Sequence, residues 1–130
     1  MFMLRHPLNE FGPFGPRPAP WPFCSTVTAS LAANIYRVRL GEIRSVSRRR
    51  ARVAHARQVA IYLAHVGCGE AMDQVVAGFG RHRTTVRHAC SCIEDRRDDA
   101  NFDRALDLLE GVLRGYLDAF IPDAIQERAQ

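Results

Sequence analysis

Arginine, histidine and threonine side chains crowd one short stretch of the chain, from Arg81 to His88. Guanidinium and hydroxyl groups at this density can donate hydrogen bonds to phosphate oxygens and to base edges. Val86, Ala89 and Cys90 recur at helical spacing and fall on the opposite side of the same helix. The stretch therefore predicts a helix that presents donors from its first turn and packs its other face, as a helix in a DNA groove must.

The charges of the chain are distributed unevenly. All 18 basic residues are Arg, and the net charge is +4. Residues 37–88 carry 11 Arg and three acidic residues, a net charge of +8, whereas residues 89–130 carry five Arg and ten acidic residues, a net charge of −5. A basic middle beside an acidic end predicts a polyanion bound on one face. Because a P-loop needs a Lys, the sequence excludes nucleotide hydrolysis of that kind.

The same part of the chain also contains residues that could form a metal site or a catalytic site. His82, His88, Cys90 and Cys92 cluster, but their spacing is not that of a Cys-x2-Cys zinc knuckle. We read the thiols as core residues and expect no metal, no cofactor and no catalytic Cys–His pair, so that the protein is not an enzyme. The carboxylates of Asp95, Asp98 and Asp99, near Arg96 and Arg97, are interpreted as a solvated helix end rather than as a metal site.

The apolar spacing predicts an all-α fold, a helical bundle that contains a helix-turn-helix. The pattern turns helical from Ser25 onward, and Thr26 or Thr28 is expected to cap the first helix. Gly67 and Gly69 are expected to end a later helix, and Gly80 lies in a turn. The first expected helix has Val27, Leu31 and Ile35 on its inward side, and a short piece with Leu40 and Ile43 follows. Four further helices are expected, at about 52–66, 70–78, 82–97 and 102–121. Their inward residues, in the same order, are Val53, Ala56, Ala60, Leu63 and Ala64; Met72, Val75 and Val76; Val86, Ala89, Cys90 and Ile93; and Phe102, Leu106, Leu109, Leu113, Leu117 and Phe120.

The chain is expected to contain one domain with two tails. Residues 1–24 hold six of the seven prolines and several aromatic residues, and we expect them to be disordered or to dock a protein partner. Residues 25–121 form the expected domain and residues 122–130 a C-terminal tail. With no leader and no apolar run long enough to span a membrane, the sequence predicts a cytoplasmic, nucleoid-associated protein with reduced thiols.

Three segments resemble the C-terminal DNA-binding domain of the bacterial DnaA replication initiators. These are residues 53–64 (VAHARQVAIYLA), residues 76–80 (VAGFG) and residues 81–90 (RHRTTVRHAC). The resemblance extends over about 27–117 and implies a DnaA C-terminal or Trp repressor-like bundle with a helix-turn-helix. It also implies that His82, Arg83 and Thr84 contact bases in the major groove, that Thr85 holds the helix on the DNA backbone, and that Arg48, Arg49, Arg50 and Arg52 enter the adjacent minor groove.

The remaining candidates for DNA binding are Arg81, Arg87 and His88 beside the same helix, and Arg57, interpreted as a phosphate contact or a surface ion pair. The sequence departs from the family pattern at the positions of His82 and Arg83, where the family has Asp and His, and it lacks one residue of the turn. Because Arg favours the two acceptors of guanine, we expect a shifted preferred site, by about 1–3 kcal/mol for each altered pair. The initiator's own DNA box is therefore not assumed.

These observations predict sequence-specific binding of double-stranded DNA and a role in regulating transcription or replication initiation. A proline-rich tail stands where an initiator has its ATPase module, so the chain is expected to occupy a site without melting an origin. The alternative is a helical adaptor that binds protein through residues 102–121 or through the aromatic tail. The apolar stripe of 102–121 is wide enough for a dimer seam, although packing against its own bundle is the expected default. The oligomeric state stays open.

Overall fold

The computed structural model describes residues 23–45 and 50–120, and the regular structure within them is helical. The predicted all-α class is confirmed. The proline-rich segment, Arg48, Arg49 and the C-terminal tail lie outside the described residues. The helices are α1 (Phe23–Tyr36), α2 (Leu40–Arg44), α3 (Ala51–Tyr62, extended by a π-helical turn over Leu63–Gly67), α4 (Met72–Phe79), α5 (Arg83–Arg96) and α6 (Ala100–Phe120).

Helix α1 differs from its expected form at its start and on its buried face. It already includes Phe23, so Thr26 and Thr28 lie within the helix and do not cap it, and the Thr28 hydroxyl donates to the Ser25 carbonyl at 3.3 Å. The expected inward position of Ile35 is wrong, because its side chain is 43% exposed. The buried face is instead made of small side chains, which let α1 approach its neighbours closely: Cys24, Ser25, Thr28, Ala29, Ala32 and Ala33.

Helix α3 forms the centre of the core. Its five predicted inward residues, from Val53 to Ala64, are all buried, and α1 and α5 pack on two of its sides. The π-helical turn ends where the sequence predicted, since the Cys68 amide donates to the Leu63 carbonyl at 2.8 Å and Gly69 has a φ of 74°. A residue in the left-handed conformation cannot continue an α-helix, and glycine adopts this conformation without a steric cost.

Helices α4, α5 and α6 pack their predicted faces inward, with small differences at their ends. α4 begins at Met72 rather than at Glu70, whose side chain is buried. The four predicted inward residues of α5 are buried, and so are Leu106, Leu113 and Leu117 of α6. α6 begins at Ala100, because the carboxylate of Asp99 accepts hydrogen bonds from the free amides of its first turn.

The junction of α5 and α6 contradicts the expected solvated helix end. The side chain of Arg97 is fully buried, and its guanidinium forms ion pairs with Asp103 at 2.5 Å and Glu110 at 3.3 Å. Arg97 also pairs with Asp107 and donates to the Tyr62 hydroxyl at 3.0 Å. The hydroxyl in turn donates to buried Glu94 at 2.9 Å. Much of the acidic character of the C-terminal half therefore surrounds one buried cation.

His55 joins three helices from a half-buried position. Its Nε2 lies 3.0 Å from the Tyr36 hydroxyl of α1, and its ring contacts Phe102 of α6 with centroids 5.9 Å apart. Burial lowers the pKa of His55 below its ordinary value of 6.5, and the charge of Arg96 lowers it further. The folded state therefore binds this proton more weakly than the unfolded state does.

We expect the free energy of unfolding to decrease as the pH falls below 6.5, where the unfolded imidazole takes up its proton. In His55→Phe the ring contacts are retained and this part of the pH dependence is lost. Denaturant unfolding of both proteins on either side of this pH measures the difference. Parallel pH profiles for the two proteins would contradict the assignment.

Candidate nucleic-acid interface

The turn between α4 and α5 is set by Gly80. Its φ of 63° and ψ of 40° lie in the left-handed region, and its amide donates to the Val76 carbonyl, which closes α4. The Arg81 amide donates to the same carbonyl at 3.2 Å. His82 is then extended, and α5 begins at Arg83. The glycine-containing turn predicted from the sequence is confirmed, and it directs the first turn of α5 away from the core.

The outer side of α5 is a ridge of polar side chains. His82, Thr84, Arg87 and His88 are exposed, Thr85 is partly buried, and the Arg83 side chain is 41% exposed. These six predicted site residues lie together on the turn and first part of α5. We call this set, from His82 to His88 without Val86, the α5 ridge.

A groove of about 550 Å³ runs beside the α5 ridge, between α5 and α3. Gln58 lies in its wall, and its side-chain amide can both donate and accept hydrogen bonds. The charge pattern did not indicate Gln58, because the residue is neutral. The groove is lined by Ala54, Arg57, Gln58 and Ile61 from α3, Gly80, Arg81 and His82 from the turn, and Thr84, Thr85, His88 and Ala89 from α5.

Arg57 and Arg81 hold the backbone that leads into the basic run. The expected surface position of Arg57 is wrong, because the residue is 7% exposed and donates to the carbonyls of Ile43 at 2.7 Å and Glu42 at 2.8 Å. Arg81, from the turn before α5, donates to the Ser45 carbonyl. Both guanidinium groups are thereby directed toward residues 42–45, immediately before the basic run that starts at Arg48.

The basic run enters α3 through Arg50 and Arg52. Arg50 pairs with Glu42 at 2.9 Å, yet its side chain remains 57% exposed, and Arg52 is exposed in the first turn of α3. A hydrogen bond from the Arg39 amide and the charge of Arg50 lower the pKa of Glu42. Glu42 therefore stays ionised and holds Arg50 beside α2.

An ion pair that the sequence did not indicate constrains the α5 ridge. The guanidinium of Arg83 contacts the carboxylate of Asp73, which lies in the first turn of α4 and is 79% exposed. The pair joins the two helices on either side of the turn. Ten positions separate the two residues, so no helical spacing could relate them before the turn geometry was known.

The cysteine and histidine cluster does not form a centre for a metal ion. The Cys92 thiol lies 3.4 Å from Nε2 of His88, but Cys90 is buried, and burial raises the pKa of its thiol to about 12. In residues 23–45 and 50–120 no group of three His, Cys, Asp or Glu side chains could hold a metal ion. Across those same residues, no helix is both long enough and apolar enough to cross a membrane.

A short helix, a left-handed glycine turn and a second helix with an exposed polar first turn define a helix-turn-helix protein. Residues 29–93 match the family described as the bacterial dnaA protein helix-turn-helix, and the chain belongs to that family. The predicted family is thus confirmed.

The relatives are replication initiators. The chromosomal replication initiator protein DnaA of Methylobacillus flagellatus is 37% identical over 84 residues, which are 63% of this chain and 18% of that protein. The DnaA proteins of Ralstonia nicotianae and Burkholderia multivorans are each 35% identical over 85 residues, 64% of this chain and 16% of theirs. The chain thus spans less than a fifth of the length of these relatives. No solved structure matches it.

Proposed function

We propose that this chain binds double-stranded DNA with a preference for a particular base sequence and thereby regulates replication initiation or transcription. Membership in the helix-turn-helix family supports binding of double-stranded DNA. The observation that carries the finer proposal is the α5 ridge, which sets donors of different geometry side by side on one exposed helix face. Binding and regulation need no chemical step, and we assign none.

The α5 ridge is the part proposed to read bases in the major groove. Thr84 and His82 are exposed at the start of α5, where a recognition helix approaches base edges. Arg83 offers the paired donors that match O6 and N7 of guanine, and Arg87 and His88 lie one turn further along. We assign the phosphate contacts of the ridge to Thr85 and Arg87.

Arg83 must leave Asp73 in order to contact a base. The Asp73 side chain is largely exposed and that of Arg83 is 41% exposed, so their ion pair contributes no more than about 1 kcal/mol. A guanine offers Arg83 two acceptors at once, which favours the exchange. Asp73 therefore holds the Arg83 side chain in place without DNA, and releasing it subtracts a small amount from the affinity for duplexes in which Arg83 contacts a base.

The basic run is proposed to follow the adjacent minor groove. Arg50 and Arg52 are exposed at the entrance to α3, next to Arg48 and Arg49 in sequence. Arginine inserts into narrow minor grooves, where the negative potential is strongest. Arg57 and Arg81 are proposed to act as positioning residues, since their hydrogen bonds fix residues 42–45, which precede the run in the sequence.

The test compares base preferences of variants after selection of duplexes from a random library. Arg83→Ala and Thr84→Ala are expected to lower the preference at one or two positions of the selected site by about tenfold each. Arg49→Ala and Arg52→Ala are expected to weaken all duplexes similarly. Arg96→Ala, at the exposed far end of α5, is the control for loss of one positive charge and should leave the preference unchanged.

Two results would contradict the proposal. Equal affinity of the native chain for selected and random duplexes would remove the preference for sequence. Relaxed preference in Arg52→Ala together with uniform weakening in Arg83→Ala would show that the two elements have exchanged roles.

A further inference from the structure

Helix α6 has a second apolar face in addition to the one that packs into the core. Leu108 is 67% exposed, Val112 63% and Tyr116 40%, and their spacing of four residues places them in one line along the helix. Leu106, Leu113 and Leu117 belong to the other face, which is buried. The predicted packing of the stripe from Phe102 to Leu117 against the bundle therefore leaves this second face uncovered.

The second face is uncharged along most of α6. At 100° per residue, the side chains within about 60° of Val112 on the outer side include no charged group. A contiguous apolar surface of this kind marks an interaction site in a soluble protein. The residues are Asn101, Ala105, Leu108, Val112, Gly115, Tyr116 and Ala119, and we call them the outer face of α6. The outer face lies beyond the family match, which ends at residue 93.

We infer that the outer face of α6 binds the same face of a second copy of this chain, with the two helices antiparallel and Val112 at the two-fold axis. A two-fold interface requires a surface that is complementary to itself when reversed. The outer face has this property, because small and large residues are placed symmetrically about Val112. Leu108 and Tyr116 lie four positions to either side, and Ala105 and Ala119 lie seven positions to either side.

The charges beside the outer face favour the antiparallel pairing. Arg104 lies eight positions before Val112 and Asp118 lies six positions after it, on the same flank of the helix. In an antiparallel pair the two-fold axis brings Arg104 of each copy opposite Asp118 of the other, so two equivalent ion pairs can form. In a parallel pair the two-fold axis runs along the helices and places the two copies of this flank on opposite sides of the seam, so neither Arg104–Asp118 pair would form. Gly115 presents no side chain, and nothing lies within 4 Å of where its Cβ would be, so a second helix can approach closely there.

A single helix pair of this length is a small interface, so the dimer should be weak and dependent on concentration. Sedimentation of the full chain is expected to show the 14.6 kDa monomer at low micromolar concentration and twice that mass as the concentration approaches millimolar. Val112→Arg places two positive charges against each other at the axis and should abolish the dimer. Ala77→Arg, an exposed substitution on α4, is the control and should leave it intact.

A charge exchange tests the orientation. Arg104→Glu alone and Asp118→Arg alone should each weaken the dimer, since each sets like charges opposite one another. The double variant Arg104→Glu/Asp118→Arg restores both pairs and should restore dimerisation. Circular dichroism at low concentration, where every variant is a monomer, verifies that the fold is unchanged.

The proposal is overturned by a chain that stays monomeric at every concentration, which would mean that another partner covers the outer face. A dimer that survives Val112→Arg would overturn it as well. Failure of the double variant to recover, with both single variants weakened and folded, would reject the antiparallel arrangement. Each of these results is independent of DNA binding, so the inference and the proposed function can fail separately.

Discussion

Replacing Arg97 by Met is expected to lower the free energy of unfolding by about 3–5 kcal/mol, the usual cost of removing one member of a buried charge cluster. The Arg97 side chain is fully buried and pairs with Asp103, Asp107 and Glu110. Met fills much of the same volume but leaves these carboxylates without their cation. Denaturant unfolding followed by circular dichroism measures the loss.

The neighbouring substitution Arg96→Met is the matched control, because Arg96 is exposed at the end of α5 and its loss should change stability by less than about 0.5 kcal/mol. The pH provides a second check. Burial raises the pKa of Glu110, a group whose contribution to stability is lost as the pH rises through its folded pKa. Without Arg97 the pKa of Glu110 should rise further. The difference in the free energy of unfolding between the native chain and Arg97→Met should therefore become smaller in acid. Equal deficits for the Arg96 and Arg97 variants, or a deficit that grows in acid, would contradict the buried cluster.

Replacing Gly78 by Ala is expected to cost about 1–3 kcal/mol, because α4 and α1 touch at this residue. A Cβ on Gly78 would lie 2.4 Å from the Ser25 hydroxyl oxygen and 2.7 Å from the Ser25 Cβ. The second atom is fixed to the backbone of α1, so rotation of the side chain cannot relieve the clash and the helices must separate. Thermal or denaturant unfolding of Gly78→Ala measures the cost.

The matched control is Gly111→Ala in α6, where nothing lies within 4 Å of the added Cβ. Ala has the higher helix propensity, so this variant should gain about 0.5–1 kcal/mol. Adding Ser25→Gly to Gly78→Ala should recover part of the loss, since it removes the clashing atoms. If Gly78→Ala were as stable as Gly111→Ala, the close approach of α1 and α4 would be wrong.

The local parts of the fold were accessible from the sequence. The inward residues of α3 and α5 and the turn at Gly80 follow from apolar spacing and from glycine, whose signals are short in range. The family resemblance is likewise carried by short contiguous segments, residues 53–64, 76–80 and 81–90, which can be recognised without knowing the fold. Within the interface, the exposed ridge from His82 to His88 was likewise predicted from the pattern of a single helix.

Features that depend on tertiary contacts were not accessible. Arg97 appeared solvated because Asp103 and Glu110 reach it only after the chain has turned into α6. Arg57 appeared to be a surface residue because its acceptors are backbone carbonyls 14 and 15 positions away, which no charge pattern shows. The apolar spacing predicts an inward position for Ile35 because its side chain is large and hydrophobic. In the structure α1 packs through alanines, whose small side chains let the neighbouring helices approach more closely.

The affinity of the full chain for a labelled duplex, measured at increasing salt concentration, tests the central proposal most directly. If Arg48, Arg49, Arg50, Arg52, Arg83 and Arg87 all neutralise phosphates or lie in the grooves, the logarithm of the association constant should fall with the logarithm of salt concentration at a slope of about −5. Arg52→Ala should reduce the magnitude of that slope by about 1. An affinity that does not respond to salt, or a slope that Arg52→Ala and Arg87→Ala leave unchanged, would contradict a duplex bound along the α5 ridge and the basic run.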